Sequence, residues 1–228
     1  MPDMIIIIHT FSPLIRVFDR LAAEILPGVQ VKHILDEPLL EGIRQRGGVI
    51  SSDAARLWDH IKMAESIRAR AVLVTCSTIS PLVDNLRSLT ALPLVKIDEA
   101  MIAAAVQAGS HLGVLVGVLA TNPTTLGPMQ EMLKAQALQV DKEITCELVL
   151  VEGAFAALMN GNSEEHDRLV RPAVLELSER VDVIMLAQAS MARVLEVISD
   201  NERRVPILSS PHLALEQMRK SFGDLGWG

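Results

Sequence analysis

The chain has 228 residues, 50% of them hydrophobic, a formal net charge of −7 and only two cysteines. That length allows one large domain or two small ones with a sizeable core, and the negative charge argues against nucleic acid and anionic membrane surfaces as partners. Aromatic residues are 3% and tyrosine is absent, so the core is aliphatic and base stacking is disfavoured; two thiols make no disulfide framework.

The first stretch, MPDMIIIIHTF, sets an acidic residue before a very short apolar run. It reads as a strand over 4–8 and not as an export signal. Further strands are expected over 30–34, 71–75, 92–96, 112–119, 144–149, 181–187 and 205–208. Amphipathic stretches such as RLWDHIKMAESIRAR lie between them. Polar clusters mark helix starts at Ser51-Ser52-Asp53, Ser80-Pro81, Asn162-Ser163-Glu164 and Ser210-Pro211, and Gly47-Gly48 reads as a helix stop. Uniformly apolar strands alternating with helices mean a parallel sheet covered on both faces. The longest apolar run, HLGVLVGVLA, is about half a membrane span. The expectation is a soluble, cytoplasmic α/β protein.

The chain also reads as a duplication. Setting RAVLVTCSTISP over DVIMLAQASMAR puts Cys76 on Gln188, an offset of 112. IIIIHTFSP over VGVLATNPT puts Thr10 on Thr121, an offset of 111, and the proline-bearing LPLVKIDEAM and VPILSSPHLAL agree at 113. Two copies are too few for a solenoid. The predicted architecture is two similar α/β lobes with parallel sheets related by a pseudo-twofold, with a cleft between them. The first lobe takes residues 1–98 plus 209–228 and the second takes 99–208.

In open parallel sheets ligands sit beyond the carboxyl ends of strands. The candidate site residues are therefore His9, Thr10 and Ser12; Cys76, Ser77 and Thr78; Asp98 and Glu99; Thr121, Asn122, Thr124 and Thr125; Glu152; Gln188, Ala189 and Ser190; and Ser209, Ser210 and His212. Hydroxyls and free N–H groups at helix starts suit a small carboxylate without arginine. Cys76, read as lying at a helix N-terminus, is expected to have a lowered thiol pKa. Such a thiolate can take a proton from carbon, return one, or attack a carbonyl; the alternative is a small buried hydrophobe. Cys146, inside a strand, reads as core. His9 and His212 each read either as hydrogen-bonded structural histidines or as acid–base groups, whereas His111 and His166 read as surface groups. No His/Cys/Asp cluster has metal-ligand spacing.

These residues resemble the aspartate/glutamate/hydantoin racemase superfamily across essentially the whole chain. The likeness rests on HTFSP after the first strand, HILDEPLL, VTCSTISP, VKIDEAM, GVLATNPTT, EGAFAALMNG with HDRLVRPAV, DVIMLAQASMA and ILSSPHLAL. It implies two facing flavodoxin-like lobes, no cofactor, a homodimer, and a site for a small carboxylate or amino acid lined by Cys76, Ser77, Thr78, Thr121 and Thr125. The family's racemases use two thiols, one on each face of the α-carbon, and Gln188 holds the second thiol position here. An amide exchanges no proton at useful pH, although it can donate a hydrogen bond to a carboxylate or enediolate oxygen. Three readings follow: proton transfer at carbon with His9, Glu152 or His212 serving the second face; a one-thiol decarboxylase or cis–trans isomerase; or a non-catalytic binder of small acids.

Overall fold

The computed structural model describes residues 3–108 and 114–223. The chain forms β1 (Met4–His9), α1 (Leu14–Ile25), β2 (Gln30–Leu35), α2 (Glu37–Arg46), α3 (Ser51–Ser66), β3 (Ala71–Val74), α4 (Ser80–Arg87), β4 (Leu94–Lys96) and α5 (Glu99–Gln107). It continues with β5 (Val114–Ala120), α6 (Pro123–Gln139), β6 (Ile144–Leu150), α7 (Ala154–Met159), α8 (Ser163–Leu177), β7 (Val183–Leu186), a 3₁₀ segment (Ala189–Glu196), β8 (Ile207–Ser209) and α9 (Ser210–Gly223). His111 and the start of the strand expected over 112–119 lie outside the described residues. Among those residues, no helix is long and apolar enough to cross a membrane.

Two compact units divide the chain: one runs to Glu99 and resumes at Pro211, and the other is Ala100–Ser210. Each is built on one four-stranded parallel sheet, ordered β2-β1-β3-β4 in the first unit and β6-β5-β7-β8 in the second. The same order occurs twice, and it is the flavodoxin-like order without a fifth strand. The expected α/β class with parallel sheets is what the chain adopts.

Burial explains the order. Ile5, Ile6, Ile7 and Ile8 of β1 are at most 1% exposed, and β3 and β7 are buried at every position. A strand apolar on both faces needs neighbours on both sides and helices above and below, and each such isoleucine contributes roughly 1.5–3 kcal/mol. The half-exposed β2 and β6 take one edge of each sheet; the other edges are β4, buried at all three positions, and the partly buried β8. Cys146 lies on edge strand β6 and is only partly buried, so it is not the core residue that its strand context suggested.

The duplication is visible in backbone hydrogen bonds. Thr75 N–H donates to the Ile8 carbonyl at 3.0 Å, and Ala187 N–H to that of Leu119 at 2.9 Å. Asp36 N–H reaches the His9 carbonyl at 2.8 Å, and Val151 N–H that of Ala120 at 2.8 Å. Cys76 and Gln188 are therefore each the second residue beyond the strand beside the central one. β4 and β8 start later than expected because Pro93 and Pro206 carry no N–H. Each proline still offers its carbonyl, to Val72 and Ile184 respectively, both at 2.9 Å.

The helix punctuation follows the sequence at Asn162 and Gly47 and departs from it elsewhere. Asn162 caps α8, its side chain accepting from Glu165 N–H at 3.1 Å. Gly47 ends α2 at φ 75°, in the left-handed region that glycine adopts without strain. Ser51, Ser80 and Ser210 differ: each is the first residue inside its helix, with Ile50 and Ile79 at the cap positions of α3 and α4, and the Ser80 and Ser210 hydroxyls are buried without a partner.

Candidate functional site

In the first unit, the carboxyl ends of β1 and β3 bring Thr10 to Cys76. The Thr10 and Thr78 hydroxyls and the Ile79 and Thr78 backbone N–H groups lie close enough to the sulfur to act on its charge. All of these favour the thiolate, but burial opposes them and prevails: Cys76 is 8% exposed, and desolvation pushes its thiol above the ordinary range. The expected lowering at a helix start is thus corrected. Helix α4 begins four residues later. Cys76 instead heads a tight turn, its carbonyl accepting from Ile79 and Ser80 N–H, each at 3.1 Å. Ser77 and Thr78 are buried in the same turn, and the Ser77 hydroxyl has no partner.

His9 is fully buried at the end of β1. Its Nδ1 lies 2.9 Å from the Thr75 hydroxyl, and its Nε2 lies 2.9 Å from His33 Nδ1. Burial first, and the neighbouring His33 second, hold its pKa down to about 3, with Asp19 pulling the other way. His9 is therefore a neutral ring with both nitrogens engaged by protein.

Asp98 follows β4. Ile97 N–H donates to the Val74 carbonyl at 3.0 Å, which sets Asp98 one step further along, beside the Cys76 turn. Neither carboxylate oxygen has a hydrogen-bond partner in the structure. Burial raises its pKa to about 6, with the Ser80 hydroxyl and Lys96 near enough to oppose the shift. Ser12 and His212 are exposed, and the Ser12 backbone N–H donates to Glu37 Oε1 at 3.0 Å.

In the second unit, Thr121 and Asn122 follow β5, and Gln188 follows β7. The carboxamide oxygen of Gln188 accepts from Thr121 N–H at 2.6 Å, from the Thr121 hydroxyl at 2.9 Å and from Asn122 N–H at 3.0 Å. The sequence reading gave this side chain a donor's role; its oxygen is instead the acceptor for three converging donors, and its NH2 is the part able to donate. Thr125 and Ala189 are buried, Thr124 and Ser190 half-buried, and Glu152 exposed. His166 is no surface group. It is fully buried, with Nδ1 2.8 Å from Asp167 Oδ1, and Arg193 Nε lies 2.9 Å from both Asp167 oxygens.

Sequence reasoning passed over His33, Asp19 and Thr75. The signal for His33 was a histidine inside a strand that pairs with β1 in the register Ile7↔His33. Nothing local tied Asp19, on α1, to it. Among the described residues no group of three or more His, Cys, Asp or Glu could hold a metal ion.

The sequence matches a family model described as Asp/Glu/Hydantoin racemase over residues 14–218. No curated protein matches the chain. Among solved structures, a glutamate racemase from Bacillus anthracis superposes with a TM-score of 0.74 at 16% identity, covering 98% of this chain and 83% of that one. An allantoin racemase from Klebsiella pneumoniae gives 0.65 at 17% identity, covering 99% and 89%. An aspartate racemase from Picrophilus torridus gives 0.66 at 14% identity, covering 97% and 94%. At such identities the likeness is one of fold.

Proposed function

Because the chain belongs to the Asp/Glu/hydantoin racemase family, we propose that it is a cofactor-independent enzyme that moves a proton at the α-carbon of a small carboxylic or amino acid, with Cys76 as the acid–base group. The observation that carries this reading is the gathering of hydroxyl and N–H groups from Thr10, Thr78 and Ile79 around the Cys76 sulfur. A structural thiol in a strand-end turn needs none of them. Together they lower the cost of the anion that must form when the thiol gives up its proton.

In this mechanism the buried thiol rests protonated. The thiol gives its proton to water as the substrate enters, and the resulting thiolate, favoured by Thr10, Thr78 and Ile79, removes the substrate's α-proton; the thiol so regenerated returns a proton to the same carbon. Negative charge develops on the substrate carboxylate as an enediolate, and donors aimed at that oxygen stabilise it. Ser77 and Thr78 are the proposed substrate contacts in the first unit, and Thr121, Asn122, Thr124, Thr125, Ala189 and Ser190 the candidate ligand contacts in the second. His9 is assigned a supporting role, since neither of its ring nitrogens is free for a substrate.

One observation favours a second reading. Gln188 spends its oxygen on three protein donors, and its amide releases no proton. A reaction needing a single thiol, such as decarboxylation followed by one protonation, or nucleophilic cis–trans isomerisation, fits that arrangement.

The test is α-proton exchange in deuterated water over a panel of small amino acids, dicarboxylates and hydantoins, with substituted malonates and maleate followed alongside. Exchange that disappears in Cys76→Ser supports the first reading. Release of carbon dioxide or isomerisation of maleate without exchange moves the assignment to the second. Full turnover by Cys76→Ser on any substrate found sinks both. A homodimer belongs to the same proposal and is checked by light scattering.

A further inference from the structure

Asp19, His33, His9 and Thr75 form one hydrogen-bonded row. It starts at a carboxylate whose side chain is 60% exposed and ends at the residue before Cys76. His33 Nε2 lies 3.0 Å from Asp19 Oδ1, His33 Nδ1 lies 2.9 Å from His9 Nε2, and His9 Nδ1 lies 2.9 Å from Thr75 Oγ1. The same Thr75 hydroxyl is 3.1 Å from the Ile8 carbonyl.

Counting protons gives this row two arrangements in which Asp19, His33, His9 and Thr75 stay bonded in sequence. In the first, the Thr75 hydroxyl donates to His9 Nδ1, His9 Nε2–H donates to His33 Nδ1, and His33 Nε2–H donates to Asp19. Both rings are neutral. In the second, the row has gained one proton from water. His33 then carries N–H on both nitrogens and donates to Asp19 and to His9 Nε2. His9 becomes the Nδ1–H tautomer and donates to Thr75 Oγ1, and the Thr75 hydroxyl turns to the Ile8 carbonyl. The second arrangement has one more hydrogen bond between the ends of β1 and β3.

We propose that Asp19 and His33 are positioning residues for Cys76, acting through His9 and Thr75 as a two-state switch that tightens the tie between the strand ends carrying Thr10 and Cys76 when His33 gains a proton. Thr10 directly follows His9, Cys76 directly follows Thr75, and the Thr10 hydroxyl lies close enough to the Cys76 sulfur to act on its charge. The desolvation that keeps His9 neutral down to about pH 3 makes it change tautomer, not charge. Around the row, α1 supplies Asp19 and the Phe18 ring, which is 5.5 Å from that of His9. The next acidic groups along the sheet edge are already engaged: Asp36 by Arg56 and His60, and Glu37 by Ser12 N–H. The effect on catalysis rests on the reading of Cys76 as the reactive thiol, but the switch itself does not.

The test combines two readouts on the full chain in a Cys146→Ser background. Histidine side-chain ¹⁵N NMR reports tautomers, and iodoacetamide alkylation reports Cys76. On acidification, His9 is expected to pass from Nε2–H to Nδ1–H while staying neutral. Cys76 alkylation is expected to drop at the same pH by more than the loss of thiolate accounts for. His33→Gln should remove both transitions. Asp19→Asn, a change at a carboxylate whose side chain is 60% exposed, should alter both transitions, because the added proton loses its partner. A His9 tautomer that stays fixed while His33 titrates overturns the switch. An alkylation profile of wild type and Asp19→Asn that follows one thiol titration overturns the coupling to Cys76. Failure of α-proton exchange would count against the enzymatic reading and leave the tautomer result standing.

Discussion

Thr10 beside Cys76 and Thr121 beside Gln188 occupy the same place in two sheets of the same strand order. In both, a threonine hydroxyl after the central strand acts on the residue after its neighbour. In the first unit the acceptor is a sulfur that can lose a proton. In the second it is an amide oxygen that also takes two backbone N–H groups. The carboxyl end of a parallel sheet thus supplies the donors, and one side chain decides whether they stabilise a forming anion or are consumed within the protein. The strands beneath differ too. β1 carries the fully buried Ile6 where β5 carries Gly117. A Cβ there would come within 2.7 Å of Leu177 Cδ2 on α8, so the second unit relies on close helix approach where the first relies on side-chain volume.

The sharpest way to break this comparison is to exchange the two acceptors. Cys76→Ser should lower α-proton exchange by about 10²–10⁴-fold, the usual contribution of a positioned acid–base group. Gln188→Cys should add exchange of the opposite enantiomer, read by NMR as deuterium incorporation. Wild-type protein that labels both enantiomers equally would show that another group already serves the second face.

Asp98 separates the sheets by charge, since β8 leads to Pro211 at the corresponding step. The folded chain holds the Asp98 proton more tightly than the unfolded chain does, because burial raises its pKa from 3.8 to about 6. Its destabilising effect is therefore absent below the unfolded value and grows as pH rises through the folded one. Asp98→Asn should stabilise the protein by up to about 3 kcal/mol above pH 6 and by nothing below pH 4. Denaturant melts across that window check it, and a pH-independent difference rejects it.

Gln188→Ala should cost roughly 1–3 kcal/mol by leaving three donors without their acceptor. Added sulfate or acetate should restore part of the loss in a thermal melt, and no anion response would mean that the donors do not form an anion site. The smallest effect is expected at Gly117→Ala. The added methyl pushes on Leu177 and Val181 and should cost about 1–3 kcal/mol at most, less if α8 gives way. A stabilising substitution there would contradict the close packing.

Much of the fold was legible because its signals are local. Runs such as IIIIH and AVLV read as buried parallel strands, prolines and glycines punctuate the helices, and the repeat offsets survive as matching backbone hydrogen bonds. The order 2-1-3-4, the exposed edge at β6 and the partial exposure of Cys146 depend on which strand lies next to which, and no single segment encodes that. The strand-end candidates were legible for the same reason, as strand ends are visible in the sequence.

By itself the sequence determined two α/β repeats, the positions of their strand ends and the residue types gathered there. Only the tertiary structure decided the state of those residues. Desolvation depends on everything packed around a group, so burial reverses the thiol shift expected from a helix start. Hydrogen-bond partners come from other strands and helices, so His9 is claimed by His33 from 24 residues away and Thr75 from 66, and the Gln188 oxygen by Thr121 from 67. Proton affinity is set by that three-dimensional neighbourhood, and no spacing along the chain records it.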